Sequence, residues 1–182
     1  MSGDKIIVRL AEECDQCFVQ NIITEIEKAS KINGTGICKR EAAFISQKIT
    51  EGNAVVALTD TGAWIGFCYI QPHDNGQFVS SCALIISPGF RNRGVATIIK
   101  KQILALAKNK YPKAKIFGLT TSAAIMQINR QLHYKQVQYS EVTQAESFWL
   151  SCTTCENYQV LLHSDKKVCL CKAMVYMPDD FV

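Results

Sequence analysis

Leu84-Ile85-Ile86-Ser87-Pro88-Gly89-Phe90-Arg91-Asn92-Arg93-Gly94-Val95-Ala96 is the stretch from which the rest of the chain can be read. An apolar strand ends, Ser87 to Phe90 turn, and a helix opens with Gly94 beside two arginines and followed by the small Ala96. The first N–H groups of a helix have no internal partner, and the helix dipole adds partial positive charge, so such a junction suits an anion. Gly94 lets the backbone approach a pyrophosphate closely. Arg91 and Arg93 can add charge-assisted hydrogen bonds. The same residues would also make an ordinary strand-to-helix turn with solvated arginines, and spacing alone does not choose between the two.

Outward from this stretch, hydrophobic periodicity divides the chain. Before it, 5–10 reads as a strand, about 13–30 as an amphipathic helix and 41–50 as a second helix. Segments 54–59 and 64–71 are strands around the Asp60-Thr61-Gly62 turn, and 78–86 is a third. After it, 94–110 has a 3.6-residue stripe of Val95, Ile99, Ile103 and Leu106, and Tyr111-Pro112 stops that helix. Segment 116–121 is a strand, Ser122 caps a short helix, and 136–142 reads as a further strand. An antiparallel meander is thus followed by a parallel βαβ-like unit.

The chain has 182 residues, enough for one core that buries roughly 70% of the unfolded surface. With 48% apolar and 20% charged residues it is not a disordered chain. A net charge of +4 is too mild for a dedicated nucleic-acid binder. No apolar run reaches a membrane span, and the start lacks a secretory pattern. The nine cysteines then point to a reducing, cytoplasmic setting. The expected partners exclude nucleic acid and membrane; a homodimer is allowed, although the sequence does not show oligomeric state.

Arg91-x-x-Gly94-x-Ala96 after an apolar strand resembles the acyl-CoA motif of the GNAT (Gcn5-related) N-acetyltransferases, and the order of elements resembles that fold. The resemblance implies an α/β (α+β) fold, with a mixed central sheet of about six or seven strands flanked by about four helices. It covers roughly 5–142 and a last strand near 172–177. The chain reads as a single domain over 1–182, with a cysteine-rich insert at 143–171 before that strand.

The resemblance also implies a mechanism. Acetyl-CoA, with succinyl-CoA as the other donor considered, would lay its pantetheine along Leu84, Ile85 and Ile86. Its pyrophosphate would meet Arg91, Asn92, Arg93, Gly94, Val95 and Ala96, and Thr121 would face the cofactor from the next strand. An N–H near Ile85 would polarise the thioester carbonyl. Many members carry a tyrosine that protonates the leaving thiolate; alignment on Leu132-His133-Tyr134 puts Asn129 there. A carboxylate base is missing from 78–86, leaving Glu25, Glu27, His73 and Asp74; His73 reads first as an exposed turn residue, and Glu25 and Glu27 as a solvated helix face. Thr35 and Arg40 could hold the acceptor, Arg40 through a bidentate carboxylate pair, with Lys39 beside it. Lys100, Lys101, Lys108 and Lys110 could meet a phosphate or form a wet surface.

Cys152-x₂-Cys155 and Cys169-x-Cys171 stand thirteen residues apart. Four thiolates in two close pairs suit tetrahedral zinc, reduced packing cysteines suit the spacing equally, and a disulfide is the third reading. Segments 157–162 and 167–177 read as two strands, a hairpin that would keep Cys169 away from Cys155. Cys14 and Cys17 read as packing residues. Phe148-Trp149, 117–121 and Cys169-Leu170-Cys171 look similar to a bacterial branch associated with arginine biosynthesis that acylates glutamate. The expected activity is acyl transfer to a small primary amine; a CoA-binding regulatory module and a protein-amine acetyltransferase are the alternatives.

Overall fold

The computed structural model describes residues 5–31, 37–155, 157–164 and 169–178. Seven strands form one sheet: β1 (Ile6–Leu10), β2 (Ala54–Thr59), β3 (Trp64–His73), β4 (Phe78–Ile86), β5 (Lys115–Thr120), β6 (Lys135–Val137) and β7 (Lys172–Tyr176). Their order is β1-β2-β3-β4-β5-β7-β6. Pairing is antiparallel except between β4 and β5, which run parallel. The helices are α1 (Val19–Lys31), α2 (Ala42–Thr50), α3 (Val95–Lys110), α4 (Ala123–Gln131), α5 (Glu146–Leu150) and α6 (Tyr158–His163).

Strand β2 is buried at all six positions because helices cover both its faces. Its alternate residues separate accordingly: Val55 and Ala57 join Ile99, Ile103 and Leu106 of α3, whereas Val56 and Leu58 join Ile22, Ile26, Ile45 and Ile49 of α1 and α2. The helical stripes expected from periodicity are these core faces. Each fully buried isoleucine contributes about 1.5–3 kcal/mol relative to exposure. A third cluster joins Phe117, Val175 and Ala173 of the far sheet to Phe148, Trp149 and Leu161.

Three local expectations are corrected. The first helical segment divides into a 3₁₀ stretch, Glu13–Phe18, and α1. Asp15 anchors that stretch by accepting the Glu12 N–H at 2.7 Å and pairing with Arg9 at 2.7 Å. Strand β6 stops at Val137, where Gln138 and Glu141 form a capping box around a 3₁₀ turn. The expected strand at 157–162 is helix α6; its six residues are too few for periodicity to discriminate. Of the expected 167–177 strand, Lys172–Tyr176 is extended, and 165–168 lie outside the described residues.

The feature that positions the site is a divergence. Strands β4 and β5 pair only from Phe78↔Lys115 to Ser80↔Phe117, after which they separate. On the other side of β4, Phe67 faces Ile85 but Tyr69 faces Cys82, so Ala83 and Leu84 together oppose Cys68. This bulge holds Ala83 at φ 53°, a conformation costly for a residue with a Cβ. Lys100 of α3 rises beneath the divergence and donates to Ser81 Oγ at 2.8 Å. Its ammonium lies 5.1 Å from the Tyr134 ring, and the residue is only 3% exposed.

Gly66 packs against α3, where an added Cβ would stand 2.8 Å from Ile99 Cδ1 and 3.2 Å from the Ile85 carbonyl. Gly66→Ala is expected to destabilise by about 1–3 kcal/mol, measured as a lower urea midpoint. Burial lowers the Lys100 pKa, although Cys68 and Cys82 oppose the shift. The unfolded chain then binds more protons than the folded one in the window below the usual 10.5, so this residue makes stability rise with pH there. Lys100→Met should reduce that rise when urea midpoints at pH 7 and pH 9 are compared with those of the parent.

Candidate functional site

The divergence opens into a cavity of about 1060 Å³ lined by β4, β5, the start of α3, α4, the 37–41 segment and the 143–171 region. Its volume suits a ligand of cofactor size or more. Of the residues singled out from the sequence for CoA, all but Arg93 line it. Arg93 instead lies over the Phe90 ring at 5.0 Å.

One end is built from backbone. Asn92 at φ 60° and Gly94 at φ 77° are both left-handed, which bends the chain sharply into α3. Thr97 and Ile98 return their N–H groups to the Gly94 carbonyl at 3.1 and 3.3 Å. The N–H groups of Val95 and Ala96 precede these bonds and belong to the open first turn. Arg91 is half committed to the fold: Nε donates to the Ile86 carbonyl at 3.1 Å, and Nη2 stands 3.9 Å from Glu25.

The middle is the exposed flank of β4. Ser87 donates to the Ile65 carbonyl at 2.9 Å. Antiparallel ladders alternate, so Ile85 also turns its N–H toward β3, while Ile86 faces the opening. Asn129 of α4 faces the same space and is 1% exposed. Its amide donates to Met174 Sδ at 3.7 Å, and its Oδ1 is buried without a hydrogen-bond partner.

The other end carries side chains. Arg40 Nε donates to Tyr69 Oη at 2.7 Å, and its guanidinium lies 5.9 Å from the Phe44 ring. Burial opposes the Arg40 charge, but Tyr69, Cys82 and Cys38 outweigh it and raise its pKa. Among the described residues Arg40 has no carboxylate partner. Directly opposite pairs on β3 and β4, Tyr69↔Cys82 and Gln71↔Ser80, stand side by side on this wall. Gln71 Oε1 is buried and unpartnered. Cys82 donates to Ser80 Oγ at 3.3 Å, and Ser80 Oγ meets His73 Nε2 at 2.9 Å.

His73 ends β3 and is 9% exposed, edge-on to Phe148 at 5.2 Å between centroids, which corrects its reading as a solvated turn residue. Burial lowers its pKa, only partly offset by Asp74, so the ring is neutral at pH 7. Of the four candidate bases it alone lines the cavity. Glu25 pairs with Lys28 at 2.8 Å, Asp74 accepts from Thr143, and Glu27 is exposed. Thr35 lies outside the described residues. Lys108 and Lys110 are exposed, as a wet surface would be, and lie outside the cavity lining; they donate to Tyr176 Oη and to Asn53 Oδ1.

Four cysteines of the insert reading, Cys152, Cys155, Cys169 and Cys171, also line this end. The zinc reading finds no support: among the described residues no group of three or more cysteine, histidine or carboxylate side chains is gathered to hold a metal. Cys38, from the segment before α2, lines the same end and interacts electrostatically with Cys152; the four-cysteine spacing left it out. The hydrogen bond with Cys152, with Arg40 and Ser151 beside it, lowers the Cys38 pKa; the same bond and burial raise that of Cys152. Cys14 and Cys17 are exposed rather than packed.

Sequence reasoning missed Tyr69, Gln71, Ser80, Cys82 and Cys38. Polar residues at every second position of otherwise apolar β3 and β4 were the available signal.

The fold recurs in solved structures of low identity. Rv2747 from Mycobacterium tuberculosis, in complex with CoA and NLQ, superposes with a TM-score of 0.66 at 12% identity, covering 94% of this chain and 98% of that one. Phosphinothricin acetyltransferase from Sinorhizobium meliloti, in complex with AcCoA, gives 0.64 at 14%, covering 94% and 88%. N-acetylglutamate synthase from Neisseria gonorrhoeae, complexed with coenzyme A and N-acetyl-glutamate, gives 0.64 at 13%; this chain is covered to 95% and spans 35% of the synthase. No curated protein matches. Among the described residues no helix is long and apolar enough to cross a membrane. The acetyltransferase (GNAT) family model matches residues 21–137, the span that runs from α1 through the strand-turn-helix junction to β6, and the chain belongs to that family of acyl-CoA-dependent N-acetyltransferases.

Proposed function

We propose that the protein transfers an acetyl group from acetyl-CoA to the primary amine of a small acceptor that carries a carboxylate, an amino acid such as glutamate. The observation that carries this reading is Arg40: a half-buried guanidinium, oriented by Tyr69, at one end of the cavity and with no carboxylate partner among the described residues. A planar guanidinium suits bidentate recognition of a carboxylate. The fold shared with a synthase complexed with N-acetyl-glutamate puts glutamate first among acceptors to test.

The residues divide the work along the cavity. The turn from Arg91 to Ala96 holds the pyrophosphate with backbone N–H groups. Ile86 offers its N–H on the open flank of β4, where the thioester oxygen gains negative charge as the amine adds. Gln71 Oε1 accepts from the incoming amine. The amine's proton passes through Cys82 and Ser80 to neutral His73, so the electron pair is free to form the C–N bond. The C–S bond then breaks, and the proton that the nitrogen sheds as the amide forms passes through solvent to the leaving thiolate; Asn129 Oδ1 accepts from the CoA thiol so formed. A thiol with a pKa near 8.5 leaves without a strong general acid, which suits an amide in this position.

Turnover is measured by chromatographic release of CoA from acetyl-CoA with a panel of amino acids, with succinyl-CoA and decarboxylated amines as comparisons. The protein's own nine cysteines would react with thiol dyes. Turnover only with decarboxylated amines, or with none, would sink the reading. Arg40→Met is expected to raise the acceptor KM at least tenfold with little change for acetyl-CoA. His73→Gln should lower kcat about 10²-fold or more and remove the acid limb of the rate profile, which lies below the usual His value of 6.5. The same lowered pKa means that His73 contributes stability fully above pH 6.5, and that this is lost as pH falls toward its folded value. Gly94→Ala, strained at φ 77° although nothing lies within 4 Å, should cost about 1–2 kcal/mol, with Gly94→Asn milder; equal urea midpoints would contradict this.

A further inference from the structure

The residues assigned so far leave one charged group of the cavity without a role in the reaction. Lys100 of α3 is 3% exposed and lines the cavity. Its ammonium donates to Ser81 Oγ at 2.8 Å and lies 5.1 Å from the Tyr134 ring. Ser81 is the first β4 residue beyond the last pair with β5, and a Cβ on Gly118 of β5 would stand 3.3 Å from its Oγ. The ammonium therefore reaches the point where the two strands part. Among the described residues no carboxylate pairs with it. The groups that face it are Cys68 of β3, Ser81 and Cys82 of β4, and Tyr134 between α4 and β6. Burial pushes the Cys68 thiol up to about 12 and raises the Tyr134 phenol, so neither is an anion near pH 7. Cys82 is engaged as a donor to Ser80 Oγ. A buried cation is costly unless an anion joins it, and holding Ser81 needs a donor but no charge. Asn129 lines the same cavity, and its backbone carbonyl accepts the Tyr134 N–H at 2.9 Å, which brings Asn129 near the ring that Lys100 faces. An amide oxygen accepts from a thiol but offers nothing to a thiolate.

We propose that the Lys100 ammonium is the charge partner of the CoA thiolate released when the C–S bond breaks, and so a catalytic residue on the leaving-group side. The electron pair of the C–S bond stays on sulfur beside the ammonium, which keeps its three protons. The proton shed by the new amide then reaches the sulfur through solvent, and the thiol so formed turns to Asn129 Oδ1. The sulfur thus has a partner in either state. A cation fixed in place before the charge develops needs no reorganisation as the bond breaks. The thiolate in turn favours the ammonium against the burial that lowers its pKa. This role rests on CoA occupying the cavity, as proposed above, but not on Arg40 or on the identity of the acceptor.

The test uses the full chain with bound CoA that carries carbon-13 at the carbon bonded to sulfur. Its NMR shift, followed from pH 6 to pH 10, reports thiol against thiolate and is blind to the protein's own cysteines. The thiol of bound CoA should titrate about one pH unit or more below that of free CoA, the effect of an opposite charge within about 4–6 Å. Lys100→Met should return the midpoint to that of free CoA or above it. The same variant should lower kcat at least tenfold, with the acceptor KM changed less than twofold. A Lys100 that merely supports the sheet would leave the midpoint of the parent complex unmoved, and that measurement needs no variant. A parent midpoint equal to or above that of free CoA, or a midpoint equally low in Lys100→Met, would overturn the proposal while leaving CoA in the cavity. Absence of CoA binding to the parent would overturn the assignment of the cavity and the proposal together, so the two failures are distinguishable.

Discussion

The parting of β4 from β5 beyond the Ser80↔Phe117 pair is the constraint on which the molecule depends. A sheet interior normally pairs every backbone group, and an unpaired one buried without water is costly. Here two central strands separate while both remain covered by helices. The separation is supported at its apex by Lys100, whose ammonium donates to Ser81, the first β4 residue beyond the last pair. It is supported along its length by the Ala83 bulge, which re-aims the following residues of β4. Both devices are expensive in isolation: a buried cation without a carboxylate, and a left-handed alanine. Strain that persists at a cavity wall is a mark of function.

The cavity has a consistent electrostatic character. Its described walls contribute Arg40, Lys100 and the first turn of α3, and few anions face them. His73 is kept neutral by burial, and Tyr69 is held protonated by the same effect. Such a lining favours anionic groups at both ends and a neutral nucleophile between them. The two ends differ in construction, however. One is built from backbone N–H groups, which no substitution short of a change in conformation removes. The other is lined by side chains from separate elements, among them Arg40 of the 37–41 segment and Gln71 of β3.

That difference explains what could be read from the sequence. The end built from backbone is a contiguous segment, 84–96, in which strand, turn, glycine and helix follow in order, and the family resemblance rests on it. The meander and α3 were legible because each buries one face at a fixed period, as Val95, Ile99 and Ile103 show. Helix α6 was not, because Tyr158–His163 is a mixed apolar run barely longer than one turn and a half. Nor was the meeting of the 37–41 segment and the insert at one end of the cavity. The spacing of the last four cysteines suggested a closed set, and nothing local to Cys38 indicates that the segment before α2 folds against the insert.

The insert then has a structural reason beyond its cysteines. Strand β7 pairs with β5, which has lost β4 for half its length, so the wall beyond the divergence needs cover from elsewhere. Phe148, Trp149 and Leu161 supply it by packing on Phe117 and Val175. Trp149 also donates to the Thr143 carbonyl at 3.0 Å, and Tyr139 to the Cys171 carbonyl at 2.6 Å, which close the insert back onto the sheet. The same aromatic group presses on the His73 ring. An element that looks peripheral in sequence thus sets the burial of His73, and through burial its neutrality. The insert, the bulge and the divergence therefore act together: they leave a neutral imidazole buried in the wall of a cavity that opens inside a sheet.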